Sequence, residues 1–234
     1  LEQNLIEQER ATREMIKGLS HEIKNPLGGI LGAAQILEKS LNGNYQKFTE
    51  IIKKESNRLV NLLNDMALPI TSVKKSNINI HEATEHVIDL FKFDLKNKRI
   101  VFEKDYDPSI PDVLTNKEQL IQALINLVRN SIQALEHNGK VTIKSRTESS
   151  YTIGNDKYSL VAKIDVIDNG PGIPEDKLKE IFYPMVSTKN DGMGLGLTIA
   201  QSIIMQNSGL IECSSKHRET IFTIVLPIRR YEDD

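Results

Sequence analysis

Residues 160–172, LVAKIDVIDNGPG, join an apolar run to a polar turn that contains two glycines. The run ends at Ile167, is rich in branched residues and predicts a buried β-strand. Such a strand would deliver the Asp168 carboxylate at its end, and Gly170 and Gly172 would let a flat ligand approach the backbone. Asp168 could then accept a hydrogen bond from an exocyclic amine such as adenine N6. An ordinary strand-end turn explains the same residues, because Asp-Asn-Gly is turn chemistry in any case.

Two asparagines interrupt the strongly helical segment from Leu120 to Leu135. Within it, LINLVRNS (residues 124–131) places Asn126 and Asn130 four residues apart on one helix face. Two amides on an otherwise apolar helix are costly to bury unless they meet a ligand or water. Amide oxygens suit Mg²⁺, a hard cation that keeps several waters and takes other ligands from phosphates. A pair of capping amides, or amides satisfied within the core, explains the pattern equally well.

Glycines are concentrated in GMGLGL, residues 192–197, directly before an apolar helical segment from Thr198 to Met205. Glycine-rich backbone at a helix N-terminus offers N–H groups and a favourable dipole to phosphate. The segment is neither a Walker loop nor the dinucleotide motif, because Gly-Lys-Ser/Thr and a βαβ setting are both missing. The candidate cofactor-binding positions here are Gly192, Gly194, Leu195, Gly196 and Leu197. We predict that residues 174–195 form a mobile lid, with Lys189 near the phosphates.

The N-terminal part of the chain carries a helical-hairpin pattern. Apolar residues recur at helical spacing from about Leu5 to Leu41, and Asn42-Gly43-Asn44 then signals a turn. A second stripe, spaced by three and four residues with one charge, consists of Phe48, Ile52, Glu55, Leu59, Leu62 and Met66, and Pro69 ends it. A lone hairpin cannot cover its own apolar stripe. Residues 1–70 are therefore predicted to form a dimeric four-helix bundle with a second copy.

Beyond a boundary near residues 69–76 the sequence changes to short apolar strands and helices. A hydrophilic segment, residues 145–156, has the composition of a hairpin turn. The predicted strands are residues 100–102, 141–143, 160–167 and 221–226, and the predicted helices include 87–91, 120–135 and 198–205. Residues 76–234 are thus expected to form an α+β sandwich of helices on a mixed sheet.

His21 lies in the first predicted helix. Projected at about 100° per residue, it falls nearly opposite the apolar stripe formed by Leu19, Ile23, Ile30 and Ala34. Its imidazole should therefore face solvent and, with a reference pKa of about 6.5, be largely neutral and nucleophilic. Glu22 can hydrogen-bond one ring nitrogen, and Asn25 lies one turn further on the same face. A surface histidine without a role would look the same, but a zinc-protease helix is excluded because the second histidine is missing.

The composition of the chain narrows its class. The 234 residues are 39% hydrophobic and 26% charged with a formal net charge of -2, which gives no argument for nucleic acid or a membrane surface. Cys213 is the single cysteine, so no internal disulfide can form, which fits a reducing cytoplasm. No stretch approaches the roughly 18 apolar residues of a membrane span. We therefore expect a cytoplasmic chain with no membrane segment.

The order of these patterns is more specific than any one of them. An exposed His-Glu on a hairpin, paired Asn, Asp-x-Gly-x-Gly and Gly-x-Gly-Leu-Gly-Leu together resemble the H, N, G1, F and G2 boxes of bacterial sensor histidine kinases. The resemblance covers nearly the whole chain. It implies a dimerisation and histidine phosphotransfer domain over 1–70 and a Bergerat-type ATP-binding domain over 76–234. Four segments also resemble the NtrB group of nitrogen-regulation kinases: HEIKNPLGGI (21–30), INIHE (78–82), DYDPS (105–109) and FYPMVS (182–187).

This resemblance implies roles for the candidate residues. His21 would take the γ-phosphoryl group of Mg-ATP with Glu22 as its orienting base, and would pass it to an aspartate of an NtrC-like response regulator. In similar kinases a polar residue at the position of Asn25 supports dephosphorylation of that regulator. A PII-type signal protein is a further expected partner. The nucleotide positions are then Asn126 and Asn130 for Mg²⁺, Asp168, Gly170 and Gly172 for adenine, and Lys189, Gly194 and Gly196 for phosphate.

Two other classes share parts of this pattern. ATPases of the gyrase, MutL and chaperone kind share the ATP-binding fold but lack a phospho-acceptor histidine on an N-terminal hairpin. A dimeric pseudokinase scaffold would show a decayed box, and none is decayed here. Two features depart from the resemblance: the Ser-Thr-Lys ending at Lys189 is similar to the general kinase lid, and Gln133 replaces a basic residue that many kinases have. Phosphate charge would then be met by Mg²⁺, Lys189 and backbone amides.

Overall fold

The chain divides into two compact units, Leu1–Thr71 and Ser72–Asp234. The computed structural model describes residues 27–39, 47, 49–54, 56, 59, 74–135, 138–178, 180–183, 196–216 and 218–230. In the first unit, helix α1 is described over residues 27–39, and helix α2 at positions between 47 and 59. Lys53 Nζ of α2 lies 2.7 Å from Glu38 Oε2 of α1, so the two helices lie side by side at this point.

Apolar side chains in the described part of the first unit are unevenly buried. Leu27 and Ala34 are buried. The exposed ones, which we call the hairpin apolar residues, are Ile30, Ile36, Leu37, Ile51, Ile52 and Leu59. Ile52 and Leu59 belong to the predicted second stripe, whose other members, Phe48, Glu55, Leu62 and Met66, lie outside the described residues. Within the described part of this unit, a single copy therefore leaves the six hairpin apolar residues exposed to water.

The second unit is built on a five-stranded mixed sheet. Its strands are β2 (Val101–Asp105), β4 (Lys140–Ile153), β5 (Asp156–Asp168), β6 (Leu210–Lys216) and β7 (Glu219–Arg230). They lie side by side in the order β2-β4-β5-β7-β6. Neighbouring strands pair antiparallel except β2 and β4, which pair parallel. A separate two-stranded antiparallel sheet joins β1 (Ser76–Ile78) to β3 (Val113–Thr115).

Helices form the second layer of this unit. They are α3 (Ile80–Lys98), α4 (Lys117–Ala134) and α5 (Gly196–Gln206). On β5, Ile164 and Val166 are fully buried, whereas Lys163 and Asp165 point to the other face and are half-exposed. Helix α4 contacts β4 and β5, and α5 contacts β6. Each fully buried branched side chain contributes about 1.5–3 kcal/mol. The predicted α+β sandwich is confirmed.

Some elements differ from the sequence prediction. The hydrophilic segment 145–156 is not a long turn, because β4 continues to Ile153 and only residues 154 and 155 turn. Its β-branched and aromatic side chains favour a strand although none of them is fully buried. Ser150 interrupts the strand with a φ of 61°. Strand β6 was also missed, because most of its side chains after Ile211 are polar and it lies at the sheet edge.

Candidate functional site

The carboxyl end of β5 holds a buried acid. Asp168 is 1% exposed, and its Oδ1 accepts a hydrogen bond of 3.0 Å from Gly170 N. A Cβ at Gly170 would stand 2.7 Å from that oxygen, so a larger residue would displace the carboxylate. Gly172 has a φ of 83°, and its Cβ would stand 3.0 Å from Lys216 O. Both glycines are thus required to shape the turn that fixes the orientation of Asp168.

Thr220 is a site residue that the sequence analysis missed. It lies directly opposite Asp168 in the β5–β7 register, is 4% exposed and shares a sheet face with the acid. Ser215 Oγ lies 3.4 Å from Thr220 Oγ1 and accepts a 2.8 Å hydrogen bond from Ile173 N. These contacts tie β6 and β7 to the turn after β5. No local motif marks Thr220, because only the strand register brings it to Asp168.

Cys213 lies near this end of the sheet as well. Burial, helped by the negative charge of Asp168, raises the pKa of the Cys213 thiol to about 12. A thiol with so high a pKa stays protonated and is a poor nucleophile at neutral pH. The pKa of this thiol therefore gives no argument for a covalent role of Cys213.

Helix α4 brings the paired amides beside this turn. Gly170 packs against the last turn of α4, where its Cβ would lie 3.4 Å from Ala134 Cβ. Asn126 is 5% exposed, and within the described part of the chain its Nδ2 has no hydrogen-bond partner. An unpaired buried amide costs about 1–3 kcal/mol. Asn130, one turn along, is half-exposed. The arrangement fits a ligand or water that binds next to Asn126.

The first turn of α5 closes the site from the other side. The Cβ of an alanine at Gly196 would lie 3.8 Å from Asn126 Oδ1, so this helix begins against the amide. Leu197 follows and is half-buried. Thr198 Oγ1 donates a 2.9 Å hydrogen bond to Phe182 O, which joins the described part of the predicted lid to the first turn of α5. Helix α4 thus contacts the turn after Asp168 at Ala134 and the start of α5 at Asn126, so it connects the two parts of the candidate site.

Several candidate residues lie outside the described residues. They are His21, Glu22, Asn25, Lys189, Gly192, Gly194 and Leu195. In the part of the chain that the structure covers, three or more His, Cys, Asp or Glu side chains nowhere cluster as metal ligands would. None of the helices described here has the length and apolar character needed to cross a membrane.

Comparisons with known proteins identify the family of the chain. Residues 115–230 match the family of histidine kinase-, DNA gyrase B- and HSP90-like ATPases, and residues 11–68 match the His Kinase A (phospho-acceptor) domain. The catalytic domain of the histidine kinase ThkA is 31% identical with a TM-score of 0.57, over 66% of this chain and 96% of that one. ThkA in complex with the response regulator TrrA is 29% identical with a TM-score of 0.64, over 94% of this chain and 63% of the other. The chain belongs to the sensor histidine kinase family.

Within that family the chain is similar to the NtrB group. It is 42% identical over 232 residues to the sensory histidine kinase/phosphatase NtrB of Vibrio alginolyticus, which covers 98% of this chain and 66% of the relative. It is 36% identical over 226 residues to NtrB of Rhizobium meliloti, over 93% of this chain and 59% of that protein. The chain thus spans about two thirds of the length of the curated relatives it matches, since the shares are 66% and 64% for two of them. The resemblance stated from the sequence motifs is confirmed.

Proposed function

We propose that this chain is the catalytic core of a cytoplasmic sensor histidine kinase. It transfers the γ-phosphoryl group of ATP to His21 and then to an aspartate of an NtrC-like response regulator. One observation carries the proposal: helix α4 contacts the turn after the buried Asp168 carboxylate at one end and the start of α5, beside Asn126, further along. The match of residues 11–68 to a phospho-acceptor domain supports the proposal that the same chain carries the histidine that accepts the phosphoryl group.

Asp168 recognises the adenine base. Its carboxylate is buried and one oxygen is fixed by Gly170 N, so the acid accepts a hydrogen bond from a defined direction. An exocyclic amine such as adenine N6 is the matching donor, and a hydrogen bond to a charged acceptor contributes about 1.5–3 kcal/mol. Thr220, opposite Asp168, extends the polar surface for the base.

The phosphates lie at the other end of the site. The first N–H groups of α5 have no partner within the helix and carry the positive end of its dipole, which favours an anion beside Gly196. Asn126 and Asn130 offer amide oxygens to Mg²⁺. The buried Asn126 Nδ2, which has no hydrogen-bond partner among the described residues, is a donor and fits a phosphate oxygen beside the metal. Bound Mg²⁺ would neutralise phosphate charge during transfer. The remaining phosphate positions are Lys189, Gly192, Gly194, Leu195 and Leu197.

The helical unit supplies the acceptor and the second activity. A ring nitrogen of His21 attacks the γ-phosphorus while the bond to the β–γ bridging oxygen breaks and ADP leaves. Glu22 orients the imidazole by accepting the proton of its other nitrogen. Asn25 positions water for dephosphorylation of the regulator. The NtrB relatives carry the description kinase/phosphatase, which supports the two proposed activities. The structure of ThkA with a response regulator supports the proposed partner.

An Asp168→Asn substitution tests the adenine site. The amide cannot accept from adenine N6 in the same charged manner, so we expect ATP and adenosine to bind about tenfold more weakly or worse. Asp165→Asn is the matched control, because Asp165 lies on the same strand but on the opposite face, where it accepts from Thr223 Oγ1 at 2.7 Å. A fluorescence titration measures both affinities. Equal binding by Asp168→Asn and wild type would refute the adenine role.

A further inference from the structure

A cluster of side-chain amides joins the N-terminal end of α4 to the C-terminal end of α5, away from Asn130. Asn207, which directly follows α5, is 2% exposed and lies at the centre of this cluster. Its Nδ2 donates to Gln119 Oε1 and to Ile203 O, both at 2.9 Å, and its Oδ1 accepts from Asn116 N at 3.3 Å. Gln119 Nε2 in turn donates to Gln206 Oε1 at 3.2 Å. We call Asn116, Gln119, Gln206 and Asn207 the amide network.

The network is attached to the first turn of α4. Asn116 is the N-cap of that helix, and its side chain accepts from Gln119 N at 2.8 Å. Both amide protons and the carbonyl oxygen of the Asn207 side chain are used, so its orientation is determined. Gln119 and Asn207 form the buried part of the network, whereas Gln206 is exposed, and the satisfied Asn207 amide tolerates few alternative arrangements. The C-terminal end of α5 is thus fixed to the N-terminal end of α4.

A second contact point joins the same two helices. Gln119 meets the end of α5, whereas Asn126 lies against its beginning at Gly196, so α4 and α5 run antiparallel. Gln119 and Asn126 are about 10 Å apart along α4 at 1.5 Å per residue. A shift of α5 by one helical turn would move Gly196 by about 5.4 Å relative to Asn126. The register of α5 against α4 therefore determines whether the N-terminus of α5 stays beside Asn126.

We propose that Asn207 is a positioning residue of the nucleotide site. Its amide fixes the register of α5 against α4 and so holds the α5 N-terminus beside Asn126, where the phosphates bind. Asn207 does not touch the nucleotide and acts through α5. The inference rests on the proposed function, because it assumes that phosphates occupy this end. Adenine recognition by Asp168 involves β5 and should not depend on the network.

Two substitutions of the network test this role on the full chain. Gln119→Leu removes the α4 partner and leaves Asn207 bound to Asn116 N and Ile203 O. Asn207→Leu keeps a similar volume and removes all three bonds. Thr223→Val is the matched control, because it deletes one hydrogen bond, to Asp165, within the sheet. The affinities for ATP and for adenosine are measured separately, well below the thermal midpoint of each variant, so that only folded protein is compared.

We expect Gln119→Leu to weaken ATP binding about tenfold and Asn207→Leu to weaken it further, with adenosine affinity changed by less than about twofold. The control should match wild type for both ligands. A lower thermal midpoint with unchanged ATP affinity would overturn the proposal, and so would an equal loss for ATP and adenosine. If Asn207→Leu does not fold, Gln119→Leu decides the question alone. A wild-type chain that binds neither ligand would refute the proposed function itself, which is a distinguishable result.

Discussion

His81 is a titratable side chain outside the nucleotide site. Its surroundings predict how the folding stability of the protein depends on pH. Its ring stacks on Tyr106 with centroids 4.7 Å apart, and Nε2 lies 2.9 Å from Ser145 Oγ. Ser145 Oγ also accepts from Asp107 N at 3.1 Å. The cluster therefore joins the start of α3, strand β4 and the segment after β2. Two of the segments that resemble the NtrB group, INIHE and DYDPS, meet here.

The protonation of His81 predicts a pH dependence of folding. Burial lowers the pKa of His81 from 6.5, and the charges of Asp107 and Glu85 only partly oppose this shift. The unfolded chain then binds the proton more readily, so stability is complete above about pH 6.5 and is lost as the pH falls towards the lower folded pKa. We expect the urea concentration at the unfolding midpoint to decrease as the pH is lowered from about 7.5 to 5.5. The His81→Gln substitution should make this decrease smaller. His86→Gln, at an exposed position of the same helix, should keep the wild-type slope. An unchanged slope in His81→Gln would contradict this assignment.

At the residue scale, local sequence predicts those functional residues that lie within or next to a recognisable strand or helix pattern. Asp168 follows an apolar strand, and the two Asn residues share one helix face, so each was identifiable before the fold was known. Thr220 and Asn207 were not, because their importance arises from strand register and from the packing of α5 on α4. Such contacts join residues far apart in the chain, and no local pattern encodes them.

Among the elements, the described part of the helical hairpin carries apolar side chains that one copy leaves exposed. Leu59 is 42% exposed and belongs to the predicted seam, and burial of such side chains against a second copy would stabilise a homodimer through residues 5–68. Leu59→Asp should convert the dimer into a monomer, since an unpaired charge is costly to bury. Light scattering at micromolar concentration measures the mass.

Leu90 offers a matched control for that experiment. It is 54% exposed on α3 in the other unit, and Leu90→Asp should leave the dimer intact. A wild-type chain that is monomeric at this concentration would show the bundle prediction to be wrong.

The sequence predicted helices and strands correctly where apolar residues recur with a clear helical or strand period. Helix α4 and strands β5 and β7 have long apolar patterns, and the structure extends each of them by a few residues. Strand β6 and the outer half of β4 are polar because they lie at a sheet edge or beyond the cover of the helices, so period-two burial is weak there. Strands β1 and β3 have three residues each, which is too short for a periodic signal.

At the scale of the whole molecule, the proposal assigns two activities to one chain, and Asn25 should separate them. Kinase chemistry needs His21, Glu22 and bound ATP, whereas phosphatase chemistry needs water placed in line with the acyl phosphate of the regulator. Asn25→Ala should therefore label His21 at a near-normal rate and slow the loss of phosphate from the regulator. If Asn25 only precedes Pro26 for backbone reasons, both rates would fall together or neither would change. Both rates are measured on one preparation with a cognate receiver domain.

The central claim is that the phosphoryl group of ATP moves to His21. The most direct measurement incubates wild type and His21→Gln with γ-labelled ATP and Mg²⁺, and follows label on the protein together with nucleotide affinity. We expect the wild type to acquire an acid-labile, base-stable label, as a P–N bond requires, and His21→Gln to acquire none while it binds ATP normally. Label retained on His21→Gln, or an acid-stable product on wild type, would contradict the account.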